Sequence, residues 1–219
     1  YAATGPYLID TVQPGTVTEL RSTTHTPDVW SRTDRISFVW KAAPDAHSGL
    51  TGYGILVSDS KPTRPGATKD LGNVTTHSLT LPTASYPQYF NIRAVDGAGN
   101  WDDDFVSAGP FLVDNQAPQG VTLQINGGAA ATSSPDVTLA ITASDPHAGL
   151  QDMRMINDGG TWSPWVRFAT GRSWRLTDYG GSLARGTRGV TLEVRDRAGN
   201  VTRVADGIYF FHPVLYFGK

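Results

Sequence analysis

Cysteine is absent from the 219 residues, which excludes disulfides, thiolate zinc sites and cysteine nucleophiles. Glutamate is almost as scarce, with Glu19 and Glu193 standing against eighteen Asp. Glu suits helix interiors and Asp suits turns, so this bias argues against helices and for a chain that reverses direction often. No apolar run approaches the roughly 20 residues that span a bilayer as a helix. Charge of one sign is not in excess either: 18 Lys+Arg meet 20 Asp+Glu, for a net charge of -2. That balance excludes a strongly basic nucleic-acid clamp and a highly charged disordered tail. Neither a Gly-x-Ser-x-Gly elbow nor a His-Glu-x-x-His helix motif occurs. The chain opens on Tyr1 with no Met and no apolar leader, which predicts a fragment or a processed form.

What is present fits short strands joined by many turns. The chain has 24 Gly and 14 Pro, enough to punctuate it throughout. Alternating apolar residues mark the strands. Ile36, Phe38 and Trp40 share a face, as do Tyr53, Ile55 and Val57, then Leu79 and Leu81, then Phe90, Ile92 and Ala94. The second half repeats the layout with Val137, Leu139 and Ile141; Met153 and Met155; Trp174 and Leu176; Val190, Leu192 and Val194; and finally Ile208 and Phe210. No window of a dozen residues has a helical period with caps.

Self-similarity organises the chain. Gly5-Pro6-Tyr7-Leu8-Ile9-Asp10 recurs as Gly109-Pro110-Phe111-Leu112-Val113-Asp114. Asp45-Ala46-His47-Ser48-Gly49-Leu50 recurs as Asp145-Pro146-His147-Ala148-Gly149-Leu150, and Asp96-Gly97-Ala98-Gly99-Asn100 as Asp196-Arg197-Ala198-Gly199-Asn200. The offset of about 100 residues is the size of one β-sandwich domain. The order of the motifs predicts residues 1–11 as the last strand of an upstream repeat or an exchanged strand, residues 12–113 as one domain and residues 114–219 as a second. The linker Asp114-Asn115-Gln116-Ala117-Pro118 is short, and its proline limits flexibility.

The first domain resembles a fibronectin type III domain through Ile36-Ser37-Phe38-Val39-Trp40, Gly52-Tyr53-Gly54-Ile55, and the run from Tyr89-Phe90-Asn91-Ile92 to Asn100. The second resembles the bacterial immunoglobulin-like repeats of large secreted and cell-surface proteins. Its carriers are Ser144-Asp145-Pro146-His147-Ala148-Gly149-Leu150, Met153-Arg154, Asn157-Asp158-Gly159-Gly160-Thr161-Trp162-Ser163-Pro164-Trp165 and Val194-Arg195-Asp196-Arg197-Ala198-Gly199-Asn200. The fold class expected is all-β, two tandem immunoglobulin-like β-sandwiches. The resemblance implies modules that sit beside catalytic domains or form stalks and adhesive arrays outside the bacterial cell.

Candidate chemistry is sparse. In the Asp-x-Ala-Gly-Asn turns, Gly and Asn occupy positions that favour positive φ, and Asp96 and Asp196 accept turn amides. Asn157-Asp158-Gly159-Gly160 is a hairpin signal. His47 and His147 fall at equivalent repeat positions, which suits loop histidines bonded to local backbone better than a catalytic pair. Asp102, Asp103 and Asp104 form the densest charge run and are the candidate Ca²⁺ ligands. Consecutive residues of a strand point to opposite sides, so the three converge only within a loop, and a solvated acidic loop is the alternative. Carbohydrate offers a second candidate, because sugars stack on exposed aromatic faces. Trp162 and Trp165 flank Ser163-Pro164 and make a possible platform with Tyr179 and Arg167. The competing reading has these aromatics covering the sandwich edge, while Trp40 and Trp174 lie in the core.

The function expected is noncatalytic: an extracellular accessory, spacer or adhesive module of a larger bacterial surface or secreted protein. One alternative is a carbohydrate-binding accessory module of a secreted enzyme. Another is a surface-filament subunit assembled by strand exchange. The partners expected are other domains of the same polypeptide, with polysaccharide or a cell-surface protein as further options. Nucleic acid and membrane insertion are not expected.

Overall fold

In the computed structural model, which describes Gly5 and residues 8–213, the chain divides into two units, Tyr1–Asp114 and Asn115–Lys219. Most of the residues expected in the leading strand lie outside the described residues.

Unit 1 contains β1 (Thr18–Ser22), β2 (Trp30–Ser31), β3 (Arg35–Lys41), β4 (Leu50–Asp59), β5 (Leu71–Gly72), β6 (Thr76–Thr80), β7 (Gln88–Asp96) and β8 (Val106–Val113). They form a three-stranded sheet, β1-β3-β6, and a five-stranded sheet, β2-β8-β7-β4-β5. Unit 2 contains β9 (Gln119–Ile125), β10 (Ala131–Thr132), β11 (Asp136–Ser144), β12 (Leu150–Asn157), β13 (Val166–Arg167), β14 (Gly171–Arg175), β15 (Gly186–Asp196) and β16 (Val201–Phe210). Its sheets run β9-β11-β14 and β10-β16-β15-β12-β13. The two units thus repeat one strand order. In each, one two-residue strand pairs parallel to the last strand and the other pairings are antiparallel. Both are immunoglobulin-like sandwiches. Among the described residues the helical content is one 3-10 turn, Asp178–Gly180.

The period-two residues meet between the sheets. Ile36, Phe38 and Trp40 of β3 face Phe90, Ile92 and Ala94 of β7, all buried. Phe38 stacks on Phe90 at 4.1 Å between centroids, and Trp40 meets Tyr53 edge-on at 5.5 Å. In unit 2, Val137, Leu139 and Ile141 of β11 pack with Met153, Met155, Leu192 and Val194. Each such side chain contributes about 1.5–3 kcal/mol through burial, which is how a cysteine-free sandwich holds together.

The repeated motifs turn the chain between strands. Asp45 Oδ1 accepts the His47 and Gly49 amides at 3.1 and 2.6 Å, and Asp145 Oδ1 accepts those of His147 and Gly149 at 3.1 and 2.8 Å. Gly49 and Gly149 sit at φ +79° and +76°, where an L side chain is strained. Asp96 Oδ1 accepts Ala98 N and Asn100 N, and Asp196 Oδ1 accepts Gly199 N and Asn200 N, all within 2.9 Å. The expected turn at Asn157-Asp158-Gly159-Gly160 is present, the Asn157 carbonyl accepting the Gly160 amide at 2.9 Å, and Asn157 is at the same time the buried last residue of β12. Its amide nitrogen donates to the Arg175 and Asp178 carbonyls at 3.1 and 2.8 Å, and its oxygen accepts Trp174 Nε1 at 2.8 Å. The turn reverses through Asp158 and Gly159, the latter at φ +74°.

Candidate functional site

The densest chemistry in unit 2 lies on the outward face of its five-stranded sheet. Met153 and Met155 point into the core, so Asp152 and Arg154 point outward; Leu192 and Val194 likewise leave Glu193 and Arg195 outward. Register aligns these charges in two rows. Arg154 lies opposite Glu193, which lies opposite Arg203. Arg167 lies opposite Asp152, which lies opposite Arg195. Each row alternates in sign, the arrangement that stabilises cross-strand pairs. Arg154 Nε donates to Glu193 Oε2 at 2.7 Å, Arg203 Nε to Glu193 Oε1 at 3.0 Å, and Arg195 to Asp152 Oδ2 at 2.7 Å.

The segment between β12 and β13 folds across this face. Ser163 fastens it: its amide donates to the Met155 carbonyl at 2.8 Å, and its hydroxyl accepts the Met155 amide at 3.1 Å. Trp162 and Trp165 then lie among the guanidiniums. Arg203 and Arg154 stand 5.3 and 4.6 Å from the Trp162 ring centre; Arg154 and Arg195 stand 4.5 and 4.3 Å from that of Trp165. The result is a ladder, Arg203–Trp162–Arg154–Trp165–Arg195, with Glu193 beneath it at only 5% exposure. Burial works to raise the Glu193 carboxyl, but the hydrogen bonds from Arg203 and Arg154 outweigh it and hold its pKa below the usual carboxylate range.

This geometry redefines the sugar platform expected from the sequence. Both indoles are half-buried and engaged by cations. Tyr179 is elsewhere, in the 3-10 turn, its ring stacked on Trp174 at 5.6 Å. Arg167 is exposed and lines an open groove of about 390 Å³ with Phe168 and Arg197. The residues that organise the site are Arg154, Glu193, Arg195 and Arg203, which the sequence reading did not single out. Their signal was the charge at alternate positions of otherwise apolar strands.

Unit 1 keeps a single rung of the same kind. Arg93 occupies the repeat position of Glu193, is 6% exposed and lies 4.7 Å from the Trp101 ring centre. Burial, then the nearby Arg64 charge, lowers the Arg93 pKa. Gly54 makes room: a Cβ there would stand 2.8 Å from the Thr68 carbonyl and 3.0 Å from Trp101.

The three acidic residues proposed for calcium do not gather. Asp102 is buried, and its carboxylate accepts the Asp104 amide at 2.9 Å; burial raises its pKa. Asp103 is exposed and pairs with Arg64 at 3.3 Å, and Asp104 is exposed. Among the described residues of unit 1, the carboxylates that meet are those of Asp10, Asp45 and Asp96, with one oxygen each within 4.8 Å of the others. Oxygens so placed are part of what a divalent cation takes, though here each carboxylate already holds amide donors. Asp10 Oδ2 accepts Ser48 N at 3.0 Å, and Oδ1 accepts Val12 N at 2.9 Å. The Ser48 side chain and the Val12 amide hold the Asp10 carboxyl below its ordinary pKa. Burial acts to raise Asp96, but the Asn100 side chain and the Asn100 and Ala98 amides prevail and lower it.

These contacts also clamp the incoming chain. Asn100 Nδ2 donates to the carbonyls of Asp10 and Val12 at 3.2 and 3.4 Å, and Gln13 Oε1 accepts the Asp103 amide at 3.2 Å. The chain therefore meets unit 1 at the β3–β4 and β7–β8 loops, and β8 runs from that end to the other.

No model of a known protein family matches the chain, and no curated protein matches it in sequence. Solved structures overlap it loosely. Fibronectin(III)-like modules of Clostridium thermocellum CbhA share 14% identity, covering 90% of this chain and 94% of theirs, at a TM-score of 0.42. The PKD1 domain of Vibrio anguillarum Epp shares 20% identity, covering 46% of this chain and all of its own, at 0.33. The assignment of both units as immunoglobulin-like rests on their own strand order.

Proposed function

We propose that this chain is a noncatalytic spacer from a larger extracellular bacterial protein, a pair of sandwiches strung between other domains of the same polypeptide. The observation that carries this reading is the clamp on unit 1. The chain is tied down at one end of the sandwich by the Asp45 and Asp96 loops and leaves along β8 toward the other. Both loop motifs recur in unit 2, each again anchored by its aspartate: Asp145 holds the Gly149 amide as Asp45 holds Gly49, and Asp196 the Asn200 amide as Asp96 holds Asn100. A module with chain input and output at opposite ends suits serial connection. The Arg–Trp ladder supports the same reading, because it commits the aromatic face to internal stacking.

Two measurements test this. Antibodies against the chain should label intact cells of its source without permeabilisation; labelling only after lysis would overturn the extracellular placement. Purified protein should stay in the supernatant when mixed with insoluble cellulose, chitin or peptidoglycan. Sedimentation abolished by Trp165→Ala in a folded variant would replace the spacer with a carbohydrate-binding module.

A further inference from the structure

Leu8 and Ile9 are the most exposed large apolar side chains described, at 96% and 84%. Their counterparts in the internal repeat behave in the opposite way. Ile9 corresponds to Val113, which is fully buried, and Leu8 to Leu112, half-buried beside Trp30 on the neighbouring strand. Gly5 corresponds to Gly109, and both have strongly positive φ, +115° and +141°. At Gly109 there is a steric reason, since a Cβ would stand 2.8 Å from the Gln88 carbonyl. The segment ending at Asp10 thus has the composition and glycine geometry of a last sandwich strand, yet unit 1 leaves Leu8 and Ile9 uncovered.

We propose that residues 5–10 are the last strand of an immunoglobulin-like sandwich that precedes unit 1 in the same polypeptide. A second copy of this chain offers no equivalent vacancy. Its own last strands are in place, β8 between β7 and β2, and β16 between β15 and β10. The Asp10 clamp supports a neighbour in cis, because it begins directly after Ile9 and leaves no slack between that strand and unit 1. An open groove of about 620 Å³ lies there, bounded by Leu8 and Ile9 on one side and by His47, Ser48 and Ala98 on the other. The end of the preceding sandwich would sit over it. The Asp10 clamp then acts as a domain junction, with Asp45 and Asp96 as its fixed side.

This proposal shares with the spacer reading only the need for a longer polypeptide, and its test is separate from surface labelling. Amide hydrogen exchange is measured on the peptide spanning residues 1–12, in the 219-residue chain and in the polypeptide as its gene encodes it. The amides of Leu8 and Ile9 should exchange at the unprotected rate in the former and at least 100-fold more slowly in the latter. Ile9→Asp should lower the melting temperature of the preceding sandwich and leave units 1 and 2 unchanged. Equal exchange in the two proteins would overturn the proposal, as would a gene with no sandwich ahead of Tyr1. Protection that appears in the 219-residue chain as its concentration rises would assign the strand to a second copy instead.

Discussion

Replacing Arg154 with Ala removes the centre of the ladder in unit 2. Its guanidinium lies 4.6 Å from the Trp162 ring centre and 4.5 Å from that of Trp165, and it donates to Glu193 at 2.7 Å. The side chain is 29% exposed, so each cation–π contact is worth about 1 kcal/mol, between the exposed and desolvated limits. Losing the charged hydrogen bond costs about 1 kcal/mol more, less than the full value because Arg203 still serves Glu193. Arg154→Ala should therefore destabilise unit 2 by about 3 kcal/mol. Hydrogen exchange on β12 and β15 reads this unit alone, and their slowest amides should exchange roughly 150-fold faster. Arg154→Lys, which keeps the charge without the planar fork, should fall between wild type and Ala. The effect should also depend on pH. Glu193 has a folded pKa below its unfolded value, so its contribution is complete above the unfolded pKa and is lost as pH falls through the folded one. The difference between Arg154→Ala and wild type should shrink in acid. A loss under about 1 kcal/mol at neutral pH, or a Lys variant as stable as wild type, would refute the ladder as a stabilising unit.

Asp96→Asn should cost unit 1 about 2 kcal/mol at neutral pH, since the buried carboxylate serves three donors. Because the folded pKa of Asp96 is lowered, that difference should be complete above about pH 4, shrink as pH falls from there and vanish only below the folded pKa, checked by urea midpoints across pH. Asn157→Leu should destabilise unit 2 by about 3 kcal/mol, by stranding Trp174 Nε1 and two carbonyls; calorimetry should show one transition moving and the other fixed. Gly54→Val should drive Trp101 away from Arg93 and cost about 1–3 kcal/mol, visible as a loss of near-UV dichroism from Trp101.

The sheets were readable from the sequence because strand periodicity is local. Ile36, Phe38 and Trp40, or Val190, Leu192 and Val194, declare their buried face within five residues, and burial follows that alternation. The Asp-anchored turns were readable for the same reason: each carboxylate meets amides two to four residues away. The Asn157-Asp158-Gly159-Gly160 turn was readable too, but the burial of the Asn157 side chain was not, because its partner there is Trp174, a residue of another strand.

The sequence by itself determined the all-β class, the repeat of about 100 residues and the inward faces of the strands. Only tertiary structure decided which polar and aromatic side chains meet across strands. Trp162 and Trp165 look like a sugar platform until register lays Arg154, Glu193 and Arg203 side by side from three strands beneath them. The carboxylates that meet in unit 1 come from three distant segments, Asp10, Asp45 and Asp96, whereas the consecutive Asp102, Asp103 and Asp104 diverge. Backbone periodicity depends on near neighbours along the chain. The company a side chain keeps on a sheet face depends on pairing between strands far apart in sequence, and a linear motif carries little of that.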